Sequence, residues 1–325
     1  MDFKLIAAVV VTFMLSWFLT HVTRKFLLRK AILDHPNERS SHTVATPRGG
    51  GLAIAALLIP LWCAFAIFLE NYWLLLPAAA ALILASVSFL DDIISLSPAK
   101  RLILQLAACF VGFYWIHLEG GLSQGLIPIW LEWMIFPLIW AGFVNFYNFM
   151  DGIDGITSVE TITIGMGVFT LSLLAPDLGI FYQIGIFIAA IMFGFLMLNW
   201  HPAKIFLGDV GSITLGYLLG GCLLLLAAQG YWAAAIILPL YYLCDAGLTL
   251  SKRALRGEKI WLAHKQHFYQ KATQRGQSHA RVSTAIALCN ITMVAFAVIS
   301  LYQPIYALLL SFLSVAILLI WMRKS

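Results

Sequence analysis

The chain has 325 residues, of which 62% are hydrophobic and only 11% charged, and its mean hydropathy is +0.91. A water-soluble fold of this size has too little interior to hide so much apolar surface, so the composition excludes a soluble globular protein and predicts an all-α, polytopic integral membrane protein. The net charge of +5 belongs to the polar connections, where anionic lipid accounts for it, and it requires no nucleic-acid partner.

In chain order, apolar runs long enough to cross a hydrocarbon core predict about eleven helices, at 3–21, 50–69, 73–90, 102–118, 128–147, 158–175, 179–198, 211–228, 231–250, 282–300 and 304–322. The first is as short and apolar as a signal peptide, but it lacks a basic leader and an A-x-A-like cleavage site, so it reads as a retained helix. Threading the spans alternately puts every Lys and Arg except Lys4 on one side. A miscounted span would scramble that partition, so the positive-inside rule predicts an outside N-terminus and a cytoplasmic C-terminus. The polar connections at about 22–49, 91–101, 148–157, 199–210 and 251–281 then share the cytoplasmic side of a single membrane-embedded domain, 1–325. Cys63, Cys109, Cys222, Cys244 and Cys289 lie in or beside apolar spans without paired spacing, as small buried hydrophobes do.

Acidic residues at membrane depth are costly, so where they stand is informative. Asp91 and Asp92 end the third span, Asp151 and Asp154 follow the fifth, Asp209 precedes the eighth, and Asp245 lies toward the inner end of the ninth. All reach the same boundary, near Lys100, Lys204 and two histidines. Hard cations take oxygen ligands and share them with phosphates, so this convergence predicts a site for Mg²⁺, or alternatively Mn²⁺, and a phosphorylated substrate.

Each segment alone also fits a simpler role. Adjacent Asp91 and Asp92 repel one another and call for a cation or a shared proton, yet a solvated helix end would carry them too. In Asn145-x-x-Asn148-x-x-Asp151-Gly152-x-Asp154-Gly155 the spacing of three suits one helical face, while the two Asp-Gly pairs break the helix and let backbone approach a ligand. Asp209, between Gly208 and Gly211, suits both a helix N-terminus and a metal ligand. His264 and His267, three apart in the largest polar connection, meet a phosphate or merely solvate a loop.

Together these segments resemble the polyprenyl-phosphate N-acetylhexosamine-1-phosphate transferase family, over nearly the whole chain. The resemblance rests on Asp34-x-Pro36-x-x-Arg39-x-x-His42 with Pro47-Arg48-Gly49-Gly50, on Asp91-Asp92, on Asn145 through Gly155, on Phe206-Leu207-Gly208-Asp209-Val210-Gly211-Ser212, and on the histidine segment. It implies transfer of a sugar phosphate from a UDP-N-acetylhexosamine-type donor to undecaprenyl phosphate in the inner membrane, with release of UMP. It further implies that Asp209 binds the metal and that Asp91 and Asp92 serve the lipid phosphate. Lys100 and His267 are the expected cationic or protonatable groups. Asn148, Asp151, Asp154, Phe206 and His264 are the expected substrate contacts, with Phe206 stacking on uracil, and a homodimer is an open option.

The branch that makes the peptidoglycan lipid precursor carries three successive histidines, whereas this chain reads His264-Lys-Gln-His267. That departure is similar to the branch initiating O-antigen or related surface polysaccharides, and it leaves open which histidine is functional. A polytopic transporter of an anionic or lipid-linked substrate is the competing class; its site would sit near mid-membrane, unlike these acids.

Overall fold

A computed structural model describes residues 3–36, 44–94, 96–118, 121–262 and 264–324. Asn37, Glu38, Arg39, Ser40, Ser41 and His42, which the sequence motif includes, lie outside the described residues. The elements are α1 (Phe3–Arg29), β1 (Leu33–Asp34), β2 (Thr46–Pro47), α2 (Gly51–Phe68), α3 (Leu75–Ile94), α4 (Pro98–Leu118), α5 (Ile129–Phe149) and α6 (Ile156–Leu174). They continue with α7 (Gly179–Asn199), α8 (Asp209–Leu226), α9 (Trp232–Ile237), α10 (Leu240–Leu255), α11 (Phe268–Gln274), α12 (His279–Ile299) and α13 (Pro304–Lys324). Proline opens α4 and α13, where its missing N–H costs nothing and its fixed φ suits the first turn.

The protein is an all-α, multi-pass membrane protein. Among the described residues, ten helices are long and apolar enough to cross a membrane, one of them running from Asp209 to Ile237. Large apolar side chains such as Phe18, Ile103, Leu138 and Ile317 stand exposed on the outside of the bundle, as lipid-facing residues do.

The expected ninth span, 231–250, is not a single helix. Gly230 turns the chain at φ +93°, α9 follows for six residues, and the helix is interrupted at Leu238–Pro239 before α10 begins. Proline has no N–H to give and its ring clashes with the preceding turn, so a helix breaks there. α8 starts at Asp209 and α10 carries Asp245, and both acids belong to the same end of the bundle, so α9 and α10 together make the return pass. The expected polar boundaries also shift, because α1 runs on to Arg29 and α10 to Leu255.

Without water to drive association, helices in lipid are held by close packing and interhelical hydrogen bonds. α2 and α8 cross where Gly51 meets Gly211, and a Cβ on Gly51 would lie 2.1 Å from the Gly211 backbone nitrogen, so no side chain fits. Trp140 of α5 stacks on Tyr217 of α8 at 4.8 Å and donates its indole N–H to the Tyr217 carbonyl at 2.9 Å, while the Tyr217 hydroxyl reaches the Ala108 carbonyl of α4 at 3.0 Å. Inside the bundle, Glu160 of α6 accepts a 2.6 Å hydrogen bond from Asn290 of α12.

Candidate active site

Two loops are fixed to one another before any acid is placed. β1 pairs with β2 antiparallel, and the strand end then bonds to the segment that precedes α8. Phe206 N–H donates to the Pro47 carbonyl, Gly50 N–H to Phe206, and Gly51 N–H to Leu207, each at 2.8 Å. This bonding seats Arg48 against Asp209 at the start of α8. Gly208 makes the turn at φ +74°, and a Cβ there would come within 2.9 Å of an Asp92 oxygen, so both its backbone conformation and the nearby acid demand glycine.

Three carboxylates meet through two arginines. Arg48 Nη2 lies 3.0 Å from Asp92 Oδ1 and 2.8 Å from Asp209 Oδ1. Arg101 Nη1 lies 2.9 Å from Asp91 Oδ2 and 3.2 Å from Asp209 Oδ2. Asp209 is thus the shared acid, with one oxygen toward each guanidinium. The expected cation Lys100 is exposed in the first turn of α4 and does not line the cavity; its neighbour Arg101 reaches the acids instead. One helical position is about a 100° rotation, so only one of two adjacent residues can face the bundle.

Beside these acids opens a cavity of about 420 Å³. Its wall includes Asp34, Arg48, Asn148, Asp151, Asp154, Phe206, Asp209, His264, His267 and Tyr269. The structure therefore brings Asn148, Asp151, Asp154, Phe206, Asp209, His264 and His267 into one space, while Asp91 and Asp92 stand just behind it, joined through the arginines. Asn148 accepts from Ser212 at 2.8 Å, which ties the end of α5 to the first turn of α8. Asn145, by contrast, donates to Gln105 at 2.7 Å within the helix packing and is not in the wall.

The two acids of the Asp-Gly pairs have separate surroundings. Asp151 accepts from the Thr157 hydroxyl at 2.7 Å. Burial pushes it up to about 7; Asp209 and Asp92 add to the shift, and the Thr157 hydrogen bond and Arg48 oppose it. Asp154 has both oxygens engaged: Oδ2 lies 2.6 Å from His201 Nδ1 and Oδ1 3.3 Å from His279 Nδ1. Burial alone would raise it, but the hydrogen bonds from His279 and His201 hold it below the usual carboxylate range. Asp154, expected as a substrate contact, is therefore largely spent as a tie between α6, the 199–209 loop and α12.

Asp154, His201 and His279 bring one ligand atom each within 4.8 Å of the others, close enough in principle for a metal ion. The 2.6 Å contact is a hydrogen-bond distance, shorter than the separation of roughly 3.3 Å between ligands spread around a metal with bonds of about 2 Å. The better fit for a hard cation is the Asp92–Asp209 pair. Two of their oxygens converge on one arginine nitrogen, and backbone N–H groups of Asp209 and Val210 also hold Asp92. Two neighbouring carboxylates offer the hard oxygen ligands that Mg²⁺ takes.

The two histidines are also unlike. His264 stacks on His267 at 4.8 Å between ring centroids, and burial together with His267 pushes it down to about 4, which keeps it neutral. His267 is buried, and its Nδ1 lies 3.2 Å from Asp245 Oδ1. Among the site residues, Arg101, His201 and His279 were not expected as functional, and Asp245 was counted among the converging acids without a role of its own. Arg101 and Asp245 were at least visible as charges at the common boundary, whereas the histidines near Asp154 carried no spacing signal.

The fold and site define a membrane-embedded α-helical bundle with a cavity at one end lined by acids, an arginine and two histidines of the 264–267 segment. Residues 74–227 match the family described as Glycosyl transferase family 4. The chain is 26% identical over 333 residues to the probable undecaprenyl-phosphate N-acetylglucosaminyl 1-phosphate transferase of Bacillus subtilis (strain 168), covering 98% of this chain and 90% of that protein. It is 30% identical over 230 residues to a phospho-N-acetylmuramoyl-pentapeptide-transferase of Streptococcus thermophilus, covering 63% of this chain and 65% of that relative. A protein of the same description from Streptococcus mutans is 28% identical over 300 residues, 79% of this chain and 86% of its own length. These matches are consistent with the polyprenyl-phosphate hexosamine-1-phosphate transferase family that the motifs resemble.

Proposed function

We propose that this protein transfers an N-acetylhexosamine-1-phosphate, or a 6-deoxy relative, from a UDP-sugar to undecaprenyl phosphate. The observation that carries the reading is the convergence of Asp92 and Asp209 on Arg48 beside a cavity walled by Asn148, Asp151, Phe206 and His267. An oxygen of the lipid phosphate attacks the sugar-bearing phosphorus, the bond from that phosphorus to the UMP oxygen breaks, and UMP leaves. Both reactants are anions, so their approach requires fixed positive charge, which Arg48 and Arg101 supply. Mg²⁺, held by Asp209 and Asp92, would neutralise the pyrophosphate of the donor.

The chain's own residues do the rest. Phe206 offers an apolar face for the uracil ring, and Asn148 and Asp151 are the polar contacts for the nucleotide. Asp91, held by Arg101, serves the side where the lipid phosphate arrives. His267 faces the phosphates, and neutral His264 packs behind it. The cavity end faces the cytoplasm, with the N-terminus outside and the C-terminus inside, in accord with the partition of Lys and Arg. The spacing His264-x-x-His267 favours the branch that starts O-antigen or related cell-envelope polysaccharides.

Purified protein supplied with undecaprenyl phosphate, a divalent ion and a panel of UDP-sugars tests this directly. The expected result is UMP release that requires both the lipid and the ion. Accumulation of a substrate inside vesicles without release of UMP would sink the transferase reading in favour of transport.

A further inference from the structure

Asp245 and His267 stand 22 positions apart, and each is nearly or wholly inaccessible to solvent. Asp245, on α10, gathers five donors or near donors. Its Oδ1 lies 3.2 Å from His267 Nδ1, 2.9 Å from Phe268 N and 3.3 Å from the Thr249 hydroxyl. Its Oδ2 lies 3.2 Å from Tyr269 N and 3.1 Å from the Tyr241 hydroxyl. The carboxylate thus satisfies the first two backbone N–H groups of α11 and fastens that element to α10.

The other ring nitrogen of His267 has no such partner. Nε2 is buried and makes no hydrogen bond in a residue that lines the cavity. Leaving a buried polar atom unsatisfied costs about 1–3 kcal/mol, so such an atom marks a place where something else binds. The Gln270 backbone also approaches the His267 side chain in the cap of α11. A bare Nδ1 lone pair set against a buried carboxylate would be repulsive, however, so the proton belongs on Nδ1. The groups facing His267 are Asp245 from α10, the His264 ring at 4.8 Å and the Tyr269 ring at 5.7 Å.

We infer that Asp245 is a positioning residue that fixes His267 as the Nδ1–H tautomer and aims the Nε2 lone pair at the phosphate groups of the bound substrate. This rests on the transferase reading, and it selects His267 over His264 as the working histidine. His264 does not fit the role, because its own Nδ1 accepts from Gln266 N at 3.2 Å, which leaves that nitrogen without the proton the role requires.

A double-mutant cycle tests the coupling. Asp245→Asn is expected to lower kcat between about tenfold and a hundredfold, as loss of a partner that orients a histidine does, with KM for both substrates changed less than about twofold. In a His267→Ala background the same change should cost nothing further. An equal loss in that background, or an unchanged kcat in Asp245→Asn, overturns the inference. Tyr241→Phe and Thr249→Val remove other donors to Asp245 but leave the histidine contact, and they should leave kcat near the wild-type value. The ¹⁵N spectrum of histidine-labelled wild-type protein, assigned by the His267→Ala variant, needs no folded Asp245 variant: Nδ1 protonated with Nε2 bare supports the inference, and the reverse tautomer overturns it. Should the wild-type protein release no UMP from any UDP-sugar, the transferase reading falls, and the spectrum still decides the tautomer.

Discussion

The two ends of the bundle handle polar groups in opposite ways. At the end away from the cavity several polar groups tie neighbouring segments together: Glu132 accepts from Leu122 N and Ser123 N, Gln124 donates to the Ala228 carbonyl at 3.1 Å, and the Tyr231 hydroxyl donates to Asp177 at 2.8 Å. The Glu132 bonds close a turn, and the Gln124 and Tyr231 bonds join segments 104 and 54 positions apart. Trp115 Nε1 and His117 Nδ1 are buried there without a hydrogen-bond partner among the described residues. At the cavity end one acid, Asp209, is shared by guanidinium groups from two separate elements, and one of those groups, Arg48, is shared in turn with Asp92. A bond that only joins two segments needs no carboxylate shared between two guanidinium groups, and that sharing of charge is what sets the cavity end apart.

The sharpest break of that contrast is Asp209→Asn. UMP release should fall by about 10³-fold, comparable to removing a group that stabilises developing charge, while the protein stays folded by its thermal transition. Near-normal turnover would remove Asp209 from the reaction. Next come two neighbours on α4. Arg101→Ala should lower kcat by about 10²-fold, since it takes away a charge held against Asp91 and Asp209, whereas Lys100→Ala should stay within about twofold. The opposite order would restore the lysine that the sequence favoured.

A smaller effect is expected with pH. Asp151 is pushed up to about 7, so its carboxylate fraction rises as pH passes through that value. As a carboxylate it accepts a donor N–H, so KM for the UDP-sugar should fall as pH rises through about 7, and Asp151→Asn should flatten the change. An identical profile in the variant would assign the titration elsewhere. His264, pushed down to about 4, contributes no such change near neutrality. Smallest for catalysis is Glu132→Ala at the far end. It should cost roughly 1–3 kcal/mol of stability, read as a lower thermal midpoint, and leave kcat of the folded protein unchanged.

Much of this architecture was legible in the residues. Ten of the eleven apolar runs became long helices, or parts of them, because a span announces itself by local hydropathy alone. The ninth pass broke at Pro239, although its apolar content gave no hint of two helices; the proline was the available signal. The acids at one boundary were legible as well, since charge placed beside an apolar run is a local fact. Their partners were not. Lys100 and Arg101 are equally basic and adjacent, and the direction in which α4 faces the bundle chose between them. Asp154 read as a free acid between glycines, yet His201 and His279 reach it from positions far along the chain.

The sequence by itself determined that this chain lives in a membrane, where most of its long apolar helices fall, and that six of its aspartates stand beside apolar runs toward one end. Those properties follow from transfer of side chains between water and hydrocarbon, which depends on each residue and its near neighbours. Only the tertiary structure decided which acid is paired with arginine, which with histidine, and which histidine nitrogen is left without a hydrogen-bond partner among the described residues. Ion pairs and hydrogen bonds act over about 3 Å, and groups 22 or 161 positions apart come within that range only once the helices have packed.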